Sequence, residues 1–432
     1  MSRFVGVLGI AVIIGIAVLM SRGRRLINWR LVGAGLVLQV VFGLVVLKTV
    51  AGRAFFDAVG DGFSALLRFQ EEGARFVFGN LVQLTVPVGT PAADGSLDTA
   101  AGYVAGTGAL IAFSVLPTII FFAALMSVLY HLGLMQRLVK GIAWVMQRTL
   151  RTSGAETLSA AGEIFLGPTE APLLIKPYIA RMTGSELFTT MVCGLATVAG
   201  GVMAAYIGML HGVVPGIAGH LLAASVMNVP AALYLAKIMH PETEVPETAD
   251  TLHLHTERTE RGVIEAAAAG AGQGMQLALN VGAMLIAFVA LVALLNALLG
   301  WAGGFVGQPD LSVQRILGTL LRPLAWLIGV PWAESSYVGG LIGLKATLNE
   351  FVAYGQFAAD ARQGMALSPR SAVILTYALL GFANFASIAI QIGGIGGLAP
   401  ERRSEIASYG LRAMVAGNLA AFTSAAIAGV LT

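Results

Sequence analysis

Long apolar runs separated by short polar stretches dominate this chain of 432 residues. A bilayer core needs about 20 apolar residues per helix, so each full-length run predicts one membrane-spanning helix. Eight runs qualify, at residues 4–21, 30–49, 106–132, 186–211, 215–239, 265–300, 371–398 and 405–431. Segment 52–80 is amphipathic and is predicted to lie along the membrane interface. The pattern predicts an all-α polytopic membrane protein with interfacial amphipathic helices.

Two further regions, 155–182 and 329–357, are too apolar for loops and too interrupted for spanning helices. Each predicts a re-entrant hairpin of two half-helices around a tip. Each also precedes a span that small or polar residues interrupt, at 196–201 and at 381–387. A hairpin followed by a broken helix therefore occurs twice, and the two hairpins enter from opposite sides. This arrangement is typical of inverted-repeat transporters, whose site lies near mid-membrane.

The chain divides into five predicted regions. They are N-terminal scaffold helices with an interfacial helix (1–133), a first repeat with its hairpin (134–240), a polar loop (241–262), a scaffold helix with an interfacial segment (263–328), and a second repeat with its hairpin (329–432). The polar loop is rich in Glu and Thr, and no fold is assigned to it.

Basic residues between the spans orient the chain, because cytoplasmic loops carry an excess of Lys and Arg. The loop after the first span is basic and is placed inside, which leaves both termini outside. Counting on places these groups inside: Arg22, Arg24, Arg25 and Arg30; Arg137, Lys140, Arg148 and Arg151; Lys237, Arg258 and Arg261; Arg402 and Arg403. Lys48, Arg53, Arg68 and Arg75 are exceptions on the outer side.

Composition excludes several classes of protein. Hydrophobic residues make up 57% and charged residues 11%, which is far too apolar for a soluble enzyme of this size. The single cysteine, Cys193, is read as a small buried residue, since it cannot form an internal disulfide. The net charge of +3 is dispersed, so nucleic acid is not an expected partner. No phosphate-binding loop or zinc-protease motif occurs, and no cofactor is expected.

Four acidic residues fall at membrane depth: Glu163, Glu170, Glu334 and Glu350. Each needs a reason, because a charge in hydrocarbon costs at least about 2.5 kcal/mol. Glu334 begins the second hairpin and is interpreted as exposed to water. Glu170 and Glu350 lie at the hairpin tips, where we expect a role with substrate or ion.

Asn384 and Ser387 are three residues apart, so in a helical stretch they share a face. With the carboxylate of Glu350 they supply donors and acceptors suited to a polyhydroxylated ligand. The alternative is that both merely join transmembrane helices.

Four motifs together resemble the concentrative nucleoside transporter family. They are GPTEAPL at 167–173, LALNVGA at 277–283, NEFVAY at 349–354 and GFANFASI at 381–388. The resemblance runs from about residue 30 to the C-terminus. It implies a homotrimer in a bacterial inner (plasma) membrane, in which each protomer has eight transmembrane helices, two hairpins and its own nucleoside site.

The resemblance also implies roles for individual residues. The ribose is held by Glu350, Asn384 and Ser387, with Phe382 lining the pocket, and Thr169 and Glu170 meet the nucleobase. The coupling cation, H⁺ or Na⁺, belongs at Glu163, Leu166, Thr197 and Val198. If sodium is bound, Leu166, Thr197 and Val198 ligate it through their carbonyls, and Thr197 also through its hydroxyl.

The chain departs from the family pattern at two positions. Pro168 stands where the family usually has a Gln that contacts the base, and Glu163 stands where sodium-coupled members have an Asn. A carboxylate can hold a proton or sodium, so we expect Glu163 to be the titrating group of the coupling site. The alternative is that Glu163 faces water or pairs with Arg181 or Lys176.

The expected function is secondary active import of nucleosides by cation symport. Two alternatives are open: transport of a modified nucleoside or other polyhydroxylated solute, since Pro168 removes an amide from the base side, and a membrane-embedded enzyme using Glu170 and Glu350 as an acid–base pair. No nucleophile–base pair supports the enzyme, so the chain is expected not to be one.

Overall fold

The computed structural model describes residues 2–83, 85–91, 97–98, 103–106, 111–249, 261–305 and 307–432. Within them the chain forms seventeen α-helices: α1 Ser2–Leu19, α2 Trp29–Lys48, α3 Val50–Phe78, α4 Leu116–His131, α5 Leu134–Leu150, α6 Gly154–Gly162, α7 Lys176–Ile179, α8 Gly184–Ala196, α9 Gly200–Leu210, α10 Ile217–Met239, α11 Val263–Gly304, α12 Val313–Leu327, α13 Trp332–Thr347, α14 Glu350–Arg362, α15 Pro369–Leu379, α16 Phe385–Leu398 and α17 Arg403–Leu431.

The fold is that of an all-α polytopic membrane protein, with four very short strands between α3 and α4. These are β1 Thr85–Pro87, β2 Thr90–Pro91, β3 Leu97–Asp98 and β4 Val104–Gly106, where β1 pairs with β4 and β2 with β3, both antiparallel. The amphipathic segment forms α3, as the pattern predicts. Helix α5, which is also amphipathic, was not predicted, because its basic residues were read as a loop.

Six of the described helices or helix pairs are long and apolar enough to cross a membrane, compared with eight predicted spans. The first predicted span forms α1, whose apolar part Phe4–Leu19 is short. The seventh is divided into α15 and α16 by a break. Helices α12 and α13 could form a seventh crossing, but they bend by 116° between them. The difference in count therefore reflects one short helix and one broken helix.

The two hairpins differ in their second arms. The second hairpin has two half-helices, α13 and α14, as predicted. The first has a regular α6, but its second arm consists of a 3₁₀ turn at Ala171–Ile175 and the one-turn helix α7. Pro168, Pro172 and Pro177 explain this difference, since proline cannot continue the hydrogen bonding of a preceding helix. The prediction of two half-helices was wrong for this arm.

The hairpins enter from opposite ends of the molecule. At the base of the first, Ser185 donates a hydrogen bond of 2.7 Å to the carbonyl of His240, just after α10 ends. At the base of the second, Arg362 donates one of 2.7 Å to the carbonyl of Met209, just before α10 begins. Since α10 spans 23 residues between these points, the two bases lie at its two ends.

Loops that were predicted to lie inside meet at one end of the molecule. The guanidinium of Arg412 donates to the carbonyls of Met20 (2.6 Å) and Met239 (3.0 Å). Arg402 donates to the carbonyl of Met182 at 2.6 Å, which joins the last turn to the first hairpin. This grouping agrees with the common side assigned to these loops by their basic residues.

The start of the polar loop is tied to the base of the first hairpin. Thr248 accepts hydrogen bonds from the amides of Gly154 (2.8 Å) and Ala155 (2.9 Å), so it satisfies free N–H groups at the start of α6. The prediction assigned no fold to residues 241–262, whereas residues 241–249 of this loop are held by these contacts. Residues 250–260, with His253 and His255, lie outside the described part of the chain.

A buried lysine forms ion pairs with two glutamates near the base of the first hairpin. The ammonium of Lys237 lies 2.8 Å from Glu156 Oε2 and 3.3 Å from Glu242 Oε2. Glu242 also accepts a 2.8 Å hydrogen bond from the Thr183 hydroxyl. Burial alone would raise the pKa of Glu242, but Lys237 and Thr183 outweigh it and hold this pKa below its ordinary value of 4.5.

Helices α4 and α11 pack closely through glycine. A methyl group in place of the Gly270 hydrogen would lie 2.7 Å from the carbonyl of Ala123, and one on Gly274 would lie 2.7 Å from the Cα of Ile120. Glycines four residues apart let two membrane helices approach at backbone distance. Most of the α11 surface remains exposed in the single chain.

Candidate functional site

Two broken helices meet at the centre of the protein. Helices α8 and α9 are separated by residues 197–199, and α15 and α16 by residues 380–384. The amide of Phe382 donates to the carbonyl of Thr197 at 3.3 Å. Gly381 has φ +109°, which L side chains rarely adopt, and a methyl group there would lie 2.7 Å from the Ala196 carbonyl. Glycine is therefore needed where the two breaks touch.

Two asparagines anchor these breaks in the same way. Asn228 on α10 donates to the carbonyl of Ala196 at 2.7 Å. Asn418 on α17 donates to the carbonyl of Ala383 at 2.8 Å. Each amide satisfies a backbone carbonyl that the interrupted helix leaves free. The two halves of the chain thus use the same device to hold an irregular backbone inside the membrane.

Glu350 is the centre of the polar cluster between the hairpin and the second break. It is the first residue of α14 and is buried. Its Oε1 accepts a 2.8 Å hydrogen bond from the hydroxyl of Tyr206, and its Oε2 accepts a 2.9 Å bond from Asn384 Nδ2. The structure therefore brings together the predicted Glu350 and Asn384, which are 34 residues apart.

Asn384 and Ser387 are joined by a helix cap rather than by a shared helical face. Asn384 is the N-cap of α16, and its Oδ1 accepts a 2.9 Å hydrogen bond from the Ser387 amide. One side chain thus fixes the start of α16 and also donates to Glu350. The expectation of a shared helical face applied to a helical stretch, whereas the break places Asn384 at the N-cap, just outside the helix.

The cluster retains capacity to bind a ligand. An ionised carboxylate offers about four acceptor positions, and the two side-chain bonds to Glu350 use only part of them. The Ser387 side chain is buried beside the cluster, and the half-buried Phe382 provides an apolar surface. This arrangement suits a ligand with adjacent hydroxyl groups and an apolar ring face.

Tyr206 and Lys345 complete this region. Tyr206 lies 144 residues before Glu350, so no spacing in the sequence points to their contact. The Lys345 ammonium donates to the carbonyls of Ala378 (3.0 Å) and Leu380 (3.2 Å), the last free carbonyls of α15. Lys345 is also the basic residue nearest Glu350 along the chain. Its actual role in the structure is to satisfy the second break.

The tip of the first hairpin lies farther along the same face of α16. Thr169 is half-buried against Gly394, two helical turns beyond Ser387. Glu170 is exposed and accepts a hydrogen bond from the Gly167 amide. Among the described residues, no hydrogen bond joins Thr169 or Glu170 to Glu350. The structure thus separates the predicted base-side residues from the predicted ribose cluster.

Glu163 lies at the end of the first arm and is completely buried. In the described part of the chain neither of its carboxylate oxygens has a hydrogen-bond partner. The alternative reading, that Glu163 faces water, was wrong. Arg181 does not contact it and forms a 3.0 Å ion pair with Glu247, and no ion pair with Lys176 occurs among these residues.

The other predicted cation ligands lie around the first break. Thr197 and Val198 are buried, and the Thr197 hydroxyl donates to the Cys193 carbonyl at 2.8 Å, which leaves its oxygen lone pairs free to accept. The amide of Gly200 donates to the Phe165 carbonyl at 2.9 Å, which holds the hairpin turn with Leu166 against the break. Unpartnered carboxylate oxygens beside irregular backbone fit a monovalent cation.

Glu334 and Cys193 both lie outside the candidate binding groups. Glu334 is half-buried and accepts hydrogen bonds from the amide (3.2 Å) and hydroxyl (2.9 Å) of Ser368. It therefore fixes the start of α15 and lies away from the candidate site. Cys193 is a free, buried cysteine, as predicted.

Comparison with known proteins agrees with this architecture. The family described as the Na⁺ dependent nucleoside transporter matches at residues 8–81 (N-terminus) and 220–429 (C-terminus), and a nucleoside recognition family matches residues 112–212. An uncharacterized transporter of Haemophilus influenzae is 45% identical and covers 100% of this chain and 98% of its own. The nucleoside permease NupC of Helicobacter pylori is 42% identical, and the match covers 99% of this chain and 98% of the permease.

Animal relatives and solved structures are also similar. Sodium/nucleoside cotransporter 1 of Mus musculus is 40% identical, and the match covers 100% of this chain and 64% of the mouse protein. A structure of CNTnw in an inward-facing substrate-bound state has a TM-score of 0.88 at 43% identity, covering 100% of this chain and 98% of that one. The structure of a CNTnw variant in an intermediate state has a TM-score of 0.90 at 44% identity.

The hairpins, broken helices and central polar cluster define a membrane-embedded secondary transporter. The chain belongs to the concentrative nucleoside transporter family. It is a multi-pass membrane transporter and not an enzyme, which excludes the alternative of paired catalytic glutamates.

Proposed function

We propose that this protein imports nucleosides by symport with a cation. The observation that carries the proposal is the buried Glu350 carboxylate, which is fixed by Tyr206 and Asn384 and still has acceptor positions for ligand hydroxyls. Glu350, Asn384 and Ser387 bind the ribose, and Phe382 packs against the nucleoside. The gradient of the cation provides the free energy for import.

The base-side residues are Thr169 and Glu170 at the first hairpin tip. Pro168 is buried, and its Cβ lies 3.0 Å from the position that a methyl group on Gly194 would occupy. It therefore packs against α8 and offers no amide to a base. This observation favours a second candidate, a modified nucleoside whose base does not need that amide.

A binding screen tests the choice of substrate. Purified protein is heated with nucleosides, with free nucleobases and with ribose, and its melting temperature is recorded, because a ligand of the folded state stabilises it. Uridine or adenosine is expected to raise the melting temperature, whereas uracil and adenine are not. Loss of the sugar would leave buried polar groups unpaired, which is where discrimination is greatest. Equal stabilisation by uracil and uridine would contradict the ribose assignment.

The coupling cation is a proton, or sodium in competition with protons, and it is held at Glu163. The carbonyls of Leu166 and Val198, with the carbonyl and hydroxyl of Thr197, complete the site when sodium is bound. Support comes from the unpartnered Glu163 oxygens and from the relatives named for sodium dependence. Neutralising the carboxylate lowers the electrostatic cost of moving it through the membrane.

Uptake in proteoliposomes tests the role of Glu163. The parent, Glu163→Gln and Glu163→Asn are compared under an imposed pH gradient and under an imposed sodium gradient. The parent is expected to respond to the pH gradient, Glu163→Gln to lose that response, and Glu163→Asn to depend more strongly on sodium than the parent does. A parent that needs sodium, ignores pH and behaves identically after Glu163→Gln would contradict the assignment.

The protein is also proposed to function as a homotrimer in the inner membrane of a bacterium. Ile264, Ile286 and Leu279 on α11 are exposed in the single chain. Such a surface suits lipid or neighbouring protomers. Mass measurement of the protein in nanodiscs distinguishes a trimer from a monomer.

A further inference from the structure

Four buried oxygens near the first break have no hydrogen-bond donor within the described residues: one is Asn228 Oδ1, and the other three belong to two side chains that lie against Gly194. Two belong to the Glu163 carboxylate, and the third is Oε1 of Gln391 on α16. Both side chains are fully buried, and within the described residues none of the three atoms has a partner. Buried polar atoms are nearly always satisfied, so these unpartnered acceptors indicate a place for a hydrogen-bond donor or a cation.

Gly194 on α8 brings the two side chains together. A methyl group at this glycine would lie 2.5 Å from Gln391 Nε2 and 3.1 Å from Glu163 Oε1. The orientation of the Gln391 amide is fixed, because its Nε2 donates a 3.0 Å hydrogen bond to the Met191 carbonyl, which can only accept. The amide oxygen is therefore the free end of the side chain.

The chemistry of this cluster selects a monovalent cation. All three free atoms are oxygens, which hard cations prefer as ligands. The cluster contains one carboxylate, so a single positive charge neutralises it, whereas a divalent ion would leave a net charge in a low-dielectric region. We propose that Gln391 Oε1 is a ligand of sodium at the coupling site, opposite Glu163. The inference rests on the proposed function and adds a ligand from the second repeat.

The position of Gln391 links cation binding to nucleoside binding. Ser387 and Gln391 are four residues apart in α16, so both lie on one face of that helix. The helix begins at Asn384, which donates to Glu350. A sodium ion held between Glu163 and Gln391 therefore fastens the first hairpin to the helix that carries the ribose-binding groups. Sodium stabilises the arrangement that uridine needs.

Calorimetric titration of the purified, full-length protein with uridine tests this link. Affinity is measured in sodium chloride and in choline chloride of equal ionic strength, and the ratio of the two dissociation constants reports the coupling. Coupling between sites is commonly about 5- to 150-fold. We expect a parent ratio in that range, which falls to about 1 in Gln391→Leu while the affinity in choline is unchanged. Gln391→Asn, which retains an amide oxygen on a shorter side chain and adds no charge, is expected to keep part of the sodium effect.

Two further variants separate this inference from the proposed function. Ser387→Ala is expected to weaken uridine binding in both salts and to keep the ratio. Glu163→Gln is expected to abolish the sodium effect. If Glu163→Gln abolishes it and Gln391→Leu does not, only the role of Gln391 is overturned.

Several results overturn the proposal directly. A parent with the same affinity in both salts binds no coupling sodium. Equal weakening in both salts by Gln391→Leu indicates only a structural bond to Met191. If Gln391→Leu does not fold, Gln391→Met, which has a similar shape and no amide oxygen, takes its place: a ratio near 1 supports the ligand, and a ratio equal to that of the parent overturns it.

Discussion

Replacing Glu350 by Gln is the most informative change to the ribose cluster. The carboxylate accepts from two donors at once, the Tyr206 hydroxyl at 2.8 Å and Asn384 Nδ2 at 2.9 Å. A carboxamide has one oxygen, so Glu350→Gln directs an NH₂ group at one of these donors. It also removes the negative charge that faces the ligand, while the size and shape of the side chain are preserved.

The expected loss of affinity follows from these hydrogen bonds. A hydrogen bond to a charged group contributes about 1.5–3 kcal/mol, whereas a neutral one contributes about 0.5–1.5 kcal/mol. If two ribose hydroxyls donate to Glu350, neutralisation removes about 2 kcal/mol, which weakens binding about 30-fold. Uptake at concentrations below the dissociation constant of the parent then falls nearly to background.

The assay combines uridine binding by calorimetry with uptake of radiolabelled uridine in proteoliposomes. Glu334→Gln is the matched control, since Glu334 belongs to the same hairpin and accepts hydrogen bonds, but only from Ser368. Both variants are expected to insert and fold, and only Glu350→Gln is expected to lose binding and uptake. Near-normal uridine affinity in Glu350→Gln would refute the assignment of Glu350 to the ribose.

Three other changes probe the supporting structure. Tyr206→Phe should weaken uridine binding about tenfold or more. The control Tyr354→Phe, which removes a buried hydroxyl bonded to a backbone carbonyl, should alter stability alone. Equal uridine affinities of the two variants would contradict this prediction. Gly194→Ala should lower the melting temperature and uptake, and Gly208→Ala, where a methyl meets open space, should do neither. Glu242→Gln should remove about 1 kcal/mol of stability at neutral pH, because it breaks the ion pair with Lys237. This difference from the parent should disappear as pH falls through the lowered pKa of Glu242. A difference in melting temperature that does not change with pH would exclude a stabilising role for this ion pair.

The sequence predicts the helical framework well because membrane helices follow a simple length rule. A bilayer needs about 20 apolar residues, and most of the long runs appear as helices within a few residues of the expected bounds. The rule cannot fix how a span is divided. For the seventh run the break was predicted from the small and polar residues at 381–387, and in the structure Gly381 at φ +109° and the cap at Asn384 form it.

The first hairpin shows a different limit. Its apolar content predicts a re-entrant segment, but the form of its second arm depends on where prolines interrupt the hydrogen bonding. The contact between the polar loop and α6 was likewise not predictable, because Thr248 and Gly154 are distant in sequence and only the folded chain places them together.

The candidate site was predicted through residues with chemical character, and its partners were missed. Glu350 and Asn384 were identified from type and motif, and the structure joins them directly. Tyr206 lies in an apolar helix, where an aromatic residue gives no functional signal. Gln391 was not singled out, although an amide in an otherwise apolar stretch of α16 is a signal that the sequence does contain.

Accumulation of uridine in proteoliposomes tests the central claim most directly. Liposomes containing the purified protein are given radiolabelled uridine under an inward sodium gradient, an inward proton gradient, both gradients or neither, and the internal concentration is followed. The account predicts that uridine rises above its external concentration when a cation gradient is present and decays to equilibrium when that gradient is dissipated. Uridine that only equilibrates, or does not enter, under every gradient would contradict it.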